Sequence, residues 1–151
     1  MVLRSTKECA KQRLVEFTQS PRGRKKESLR FTAEAEYSLK SAEDFLKSKH
    51  FKYSVVAAYD SMEAAAKALL ALKGIKPKMH KCVFLYLKQE FVESGLMEKQ
   101  DLNALENAHT ARVQVHYVIG SSVSEEKAKS LHKNAVSFTE KIKNIIGAMK
   151  P

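Results

Sequence analysis

KYSVVAAYDSMEAAAKALLALKG, residues 52–74, reads as one helix. Residues three and four apart share a helix face, and Tyr59, Met62, Ala66, Leu69 and Leu70 fall on one such face. Its many alanines combine high helix propensity with side chains small enough to let neighbouring helices approach closely. Gly74 suits the left-handed position after the last turn, and Pro77 blocks continuation. A second stripe, Asp60, Glu63 and Lys67, runs beside the apolar one. On most helices such a stripe is the solvated side. Here its carboxylates could instead serve a cation on another helix, and Arg112 is one.

The flanking sequence carries the same period. Residues 29–48 place Ala35, Leu39, Ala42 and Leu46 on one face, broadened by Tyr37 and Phe45. Residues 79–94 give Val83, Leu87 and Phe91 at helical spacing, with Gly95 as the C-cap and His80 in the first turn. A further helix spans Gln100 to Ile119 and ends at Gly120. Ser122, with Glu125 three residues on, has the form of a capping box. The last helix runs to about Ala148, with Leu131, Ala135, Phe138, Ile142, Ile145 and Ile146 turned inward. No run alternates with period two, so no strands are expected. Four long helices with short connections predict an all-α, up-and-down antiparallel bundle of four to five long helices. Ahead of it, residues 4–19 suggest a short helix bearing Cys9, Leu14 and Phe17. SPRGRKKES, residues 20–28, reads as a basic linker, because Pro21 and Gly23 break structure. The expected division is therefore residues 1–28, a short helix and linker, and residues 29–149, the bundle.

A chain of 151 residues with 44% hydrophobic content can form one domain with its own core. The net charge of +10 and pI near 9.6 favour a polyanionic partner: nucleic acid, nucleotide or an acidic protein. Cys9 and Cys82 lie in no CxxC and beside no paired histidines, so reduced thiols and no zinc site are expected. With no membrane-length apolar run and no leader-like N-terminus, a cytoplasmic protein without a membrane role is the expectation. Gly-rich phosphate loops, GxSxG, HExxH and EF-hand loops are absent, which removes the enzyme classes built on them.

One stripe is unusual. Leu102 and Leu105 start an apolar seam whose next members are His109, Arg112 and His116. Arg112 and His116, at i and i+4, lie one above the other. A histidine can move a proton near neutral pH. A guanidinium can grip phosphate oxygens in bidentate fashion and stabilise charge developing on them. On RNA, whose 2′-hydroxyl is a built-in nucleophile, such a pair could leave a 2′,3′-cyclic phosphate and a 5′-hydroxyl without a metal. The competing reading is a polar packing cluster, with Arg112 paired to Asp60 or Glu63. The seven-residue separation of His109 and His116 does not suit a metal pair.

AAYDSMEAAAKALLALKGIKPKMHK (57–81) and ARVQVHY (111–117) together resemble the HEPN domain, the higher eukaryote and prokaryote nucleotide-binding family, in its small stand-alone prokaryotic form. Tyr59 with Lys67-Ala68-Leu69-Leu70, then Gly74, Pro77 and His80, then Arg112 with Tyr117 carry the resemblance, which extends from about Ala33 to Ile146. It implies a helical bundle, usually a homodimer, that binds nucleotide or RNA and needs no cofactor. Active members are metal-independent endoribonucleases using Arg-x(4–6)-His, and many are toxins paired with a small nucleotidyltransferase-fold antitoxin. On that pattern Arg112 is the motif arginine and His116 the nearest motif histidine. Only three residues separate them here, one short of the pattern, and Tyr117 occupies the position at that spacing. The catalytic set implied is thus Arg112, His116 and Tyr117, and the nucleotide- or RNA-binding set Arg112, Lys67, Glu63 and His80. The chain is read first as a binding protein, secondly as an endoribonuclease toxin, thirdly as an interaction module for a nucleotidyltransferase. His109 has no counterpart in the family pattern and is read as packing.

Overall fold

A computed structural model describes residues 2–117, 120 and 122–149. It is an all-α bundle: α1 (Thr6–Lys11), α2 (Pro21–Lys47), α3 (Phe51–Ala71), α4 (His80–Leu87), α5 (Lys99–Tyr117) and α6 (Glu125–Ala148), with one small two-stranded sheet. α3 is the central helix, packed against α2, α4, α5 and α6. Its burial follows from being apolar almost all round. Tyr59, Met62, Ala66, Leu69 and Leu70 are all in the core, and small alanines at 57, 58, 64, 65 and 68 admit the neighbouring helices. Two buried hydroxyls are satisfied: Ser54 Oγ donates to the Ala42 carbonyl (2.9 Å) and Ser61 Oγ to that of Ala58 (2.7 Å).

The basic stretch expected as a linker is the start of α2. Ser20 is the N-cap and accepts from Gly23 N–H (3.2 Å), while Pro21 occupies the first turn, where its missing N–H costs nothing. The Pro-Arg-Gly sequence begins a helix here. Helix α2 runs unbroken through residues 28 and 29. One of its cations, Arg24, is tied down, with Nε donating to the Thr18 carbonyl (2.7 Å).

The expectation of no strands is corrected. β1 (Val15–Phe17) and β2 (Ile75–Pro77) pair antiparallel, Val15 opposite Pro77 and Phe17 opposite Ile75. Three residues are too few to display an alternating pattern, and the pairing is made over some sixty positions of chain, so local sequence carries no trace of it. Gly74 makes the pairing possible. Its φ is +75°, and a Cβ there would collide with the Thr18 carbonyl oxygen and lie 2.6 Å from Arg24 Nε. Its own carbonyl accepts from Thr18 N–H (2.8 Å). Gly74→Ala is expected to cost at least about 2 kcal/mol, read as a lowered urea midpoint with an unchanged m-value.

The reduced state expected for the cysteines is also corrected. Cys9 on α1 and Cys82 on α4 are joined as a disulfide, with a Cα–Cα separation of 6.1 Å, and both are fully buried. That separation lies in the usual bridging range. The bond fastens the N-terminal segment to the helix that starts at His80. Two cysteines 73 residues apart give no sequence signal of pairing.

The helix expected over residues 79–94 is in two parts. After Leu87 it widens into a π-helical turn, Lys88–Val92, where Glu93 N–H reaches the Lys88 carbonyl (2.9 Å). Phe91 lies in this turn and is wholly in the core, as are Val83 and Leu87 before it. In α5 the buried residues are Leu102, Leu105, Ala108 and Ala111. The apolar seam thus steps by three and leaves His109 and Arg112 at its edge. The cap of α6 is Ser124, whose Oγ accepts from Lys127 N–H (3.1 Å), not Ser122. Leu131, Ala135, Phe138 and Ile142 are buried, with Ile145 and Ile146 half-buried behind them. The expected extension of α5 through Ile119 falls on positions outside the described residues.

Candidate functional site

A polar cleft of about 270 Å³ opens where α3, the β2–α4 turn and α5 meet. α3 contributes Tyr59, Glu63 and Lys67, one turn apart each, so all three face the same way. The turn that Pro77 enforces contributes Lys78, Met79 and His80, and α5 contributes His109 and Arg112. The lining holds three cations against one carboxylate.

The groups are cross-linked. Tyr59 Oη donates to Glu63 Oε2, and Lys67 Nζ lies 3.1 Å from Glu63 Oε1. Burial and the neighbouring Glu63 carboxylate hold the Tyr59 phenol far above its ordinary range, so it is a neutral donor. The guanidinium carbon of Arg112 sits 5.5 Å from the centre of the Tyr59 ring, within cation–π range. Arg112 Nε lies 3.5 Å from Asp60 Oδ1. The contact is electrostatic only, for Nε makes no hydrogen bond to any described residue. Burial pushes the Asp60 carboxyl up, with the Arg112 charge pulling against it. Arg112 is thus aimed by Tyr59 and Asp60 while its hydrogen-bonding capacity is unspent on Asp60.

His80 and His109 stack, with ring centres 3.9 Å apart and planes 28° from parallel. His109 also meets Tyr59 (5.3 Å, planes tilted by 60°) and Phe84 (5.6 Å, planes near perpendicular). Burial lowers the pKa of both imidazoles, and for His109 the adjacent His80 adds to it. Both rings are therefore neutral at pH 7. The linkage is that of depressed groups: the unfolded chain takes up protons near the ordinary 6.5 while the folded one resists. Stability is full above that pH and lost as pH falls through it. The urea midpoint is expected to drop between pH 7.5 and 5.5, with a shallower drop in a His80→Gln, His109→Gln double variant.

Of the residues singled out from sequence, Glu63, Lys67, His80 and Arg112 stand together in this cleft. His116 and Tyr117 do not line it. His116 is exposed on the next turn of α5, where a charge on it is felt at Asp60, and Tyr117 is 76% exposed. Four lining residues went unmarked as site residues in the sequence: Tyr59, Lys78, Met79 and His109. Tyr59 is four residues before Glu63, and Lys78 two before His80, so each had a local signal. His109, read as packing, does pack, yet it also faces the cleft. Among the described residues no group of three or more His, Cys, Asp or Glu side chains could hold a metal ion. Among the described residues no helix is long and apolar enough to cross a membrane.

The sequence pattern of the HEPN domain matches residues 29–145. A protein of Methanocaldococcus jannaschii bearing the name "Putative toxin" is 27% identical over 122 residues, 81% of this chain and 83% of the relative. A second protein of that organism, with the same descriptive name, is 29% identical over 112 residues, 74% of this chain and 83% of the relative. A Pyrococcus horikoshii protein named as a UPF0332 protein is 44% identical over 64 residues, 42% of this chain and 45% of the relative.

Proposed function

From the premise that this chain belongs to the HEPN domain family, we propose that it is a toxin-type protein that binds RNA or nucleotide phosphate in the cleft between α3 and α5. One observation carries the reading: Lys67, Lys78 and Arg112 converge there around two neutral imidazoles and a neutral phenol. A guanidinium and two ammonium groups satisfy phosphate oxygens, and aromatic rings suit bases or sugars. The surplus of ten positive charges adds a long-range field that draws polyanions in. The names of the two Methanocaldococcus jannaschii relatives support the toxin part. Its corollary is a neutralising partner, for which a small nucleotidyltransferase-fold protein is the proposal, and a homodimer is the proposed state of the free chain.

The test is a titration of single-stranded RNA at several salt concentrations. Affinity should fall steeply with salt, and Lys67→Ala and Lys78→Ala should each weaken binding and flatten the slope by about one unit or less. Binding that is absent, or indifferent to both substitutions, would remove the proposal.

A second reading, metal-independent endoribonuclease, is favoured by the exposed His116 one turn beyond Arg112. The 2′-hydroxyl would lose its proton to a base and attack phosphorus, and the 5′-oxygen would leave with a proton from an acid. Incubation with RNA in EDTA decides it: cyclic-phosphate ends lost in His116→Ala but kept in His132→Ala would support it. Intact RNA under conditions of saturating binding leaves the binding protein.

A further inference from the structure

The stacked imidazoles have a use that the phosphate-binding groups do not supply. His109 is half-buried: His80 stacks on one face, and Tyr59 and Phe84 pack against it at steep angles. His80 is the outer member of the stacked pair and is exposed. Its stacked neighbour is His109, and its other ring contact, Phe84 at 5.9 Å, is edge-on. One face of His80 is therefore turned away from the stack, at the mouth of a cleft whose cations are Lys67, Lys78 and Arg112.

We propose that the outer face of His80 is a nucleobase-stacking platform, so that the ligand adds one more ring to the His109–His80 stack while its phosphate is held by the neighbouring cations. The chemistry recognised is a heteroaromatic base joined to a phosphate, from a free nucleotide or from single-stranded RNA. It rests on the reading of the cleft as a nucleotide or RNA site and adds to it the group that meets the base.

Two physical points carry this beyond packing. Neutral rings stack on a base without the desolvation cost of a buried charge, and burial keeps both imidazoles neutral at pH 7. Rings stacked face to face at 3.9 Å are also too close to lie on opposite sides of one phosphodiester. In-line transfer needs its base and its acid on opposite sides, so this pair is poorly placed to act as both. A platform uses the arrangement as it stands, and stacking on any base tolerates sequence variety.

The experiment compares adenosine 5′-monophosphate and a 2-aminopurine-labelled RNA oligonucleotide with ribose 5-phosphate and inorganic phosphate, on wild type, His80→Ala and His80→Phe. Calorimetry reads affinity and 2-aminopurine emission reads stacking. Expected is a loss of roughly tenfold or more for base-bearing ligands in His80→Ala, with ribose 5-phosphate unchanged, the emission quench lost, and both restored in His80→Phe. A nucleotide effect without an RNA effect assigns the platform to free nucleotides, and the converse assigns it to RNA. Equal loss for ribose 5-phosphate and nucleotide, or failure of His80→Phe to restore binding, overturns the platform alone. Wild-type protein that binds none of the four ligands overturns the cleft reading and the platform with it.

Discussion

Arg112→Ala is expected to weaken RNA binding by roughly 10- to 100-fold while leaving the fold intact. The magnitude follows from charge-assisted hydrogen bonds, about 1.5–3 kcal/mol when both partners are desolvated. Arg112 is suited to that role because Tyr59 and Asp60 fix its direction without consuming its donors. Its side chain is 34% exposed and that of Asp60 46%, so the ion pair itself contributes little to stability. Far-UV circular dichroism and the urea midpoint should barely move. Arg112→Lys keeps the charge and loses the planar fork, so an intermediate loss is expected. Binding equal to wild type in Arg112→Lys would reduce the residue to a point charge, and binding equal to wild type in Arg112→Ala would remove it from the site.

The largest stability effect is expected at Phe91. The ring is completely buried, with Lys73 Nζ 4.9 Å from its centre on one side. The Phe91 carbonyl accepts from both Leu96 and Met97 N–H (2.9 Å each), which closes the turn into α5. Truncation to alanine leaves a cavity that the surrounding helices can fill only in part. A cost of about 3–5 kcal/mol is expected, equivalent to a fall in Tm of roughly 10 °C for a chain of this size. Leu96→Ala, five positions on and 49% exposed, should cost no more than about 0.5 kcal/mol. Similar Tm shifts for the two would mean that the buried Phe91 ring is not a main support of the core.

The long helices were legible because their signals are local. Alanines and the Tyr59–Leu70 face mark α3, and four periodic segments mark the bundle. The resemblance to the HEPN family, carried by residues 57–81 and 111–117, agrees with the family match over residues 29–145. The features that sequence reading missed depend on partners far away in the chain. β1 is a strand only because Gly74 and β2 lie beside it, and Cys9 meets Cys82 only because α1 docks on α4. Pro21 and Gly23 were misread because proline is a breaker inside a helix but a favoured starter after a serine cap. At the site, the Asp60 contact to Arg112 was foreseeable from the carboxylate stripe on α3. The stacking of His80 on His109 was not, since it depends on how α4 crosses α5.

The most direct test of the central claim is an amide chemical-shift map of the ¹⁵N-labelled protein titrated with a short single-stranded RNA. The account predicts that perturbed amides cluster in three segments around Tyr59–Lys67, Lys78–His80 and His109–Arg112, and that Arg112→Ala abolishes the pattern at the same RNA concentration. Perturbations confined to the basic first turns of α2, Arg22 to Lys26, with the cleft unmoved, would contradict it.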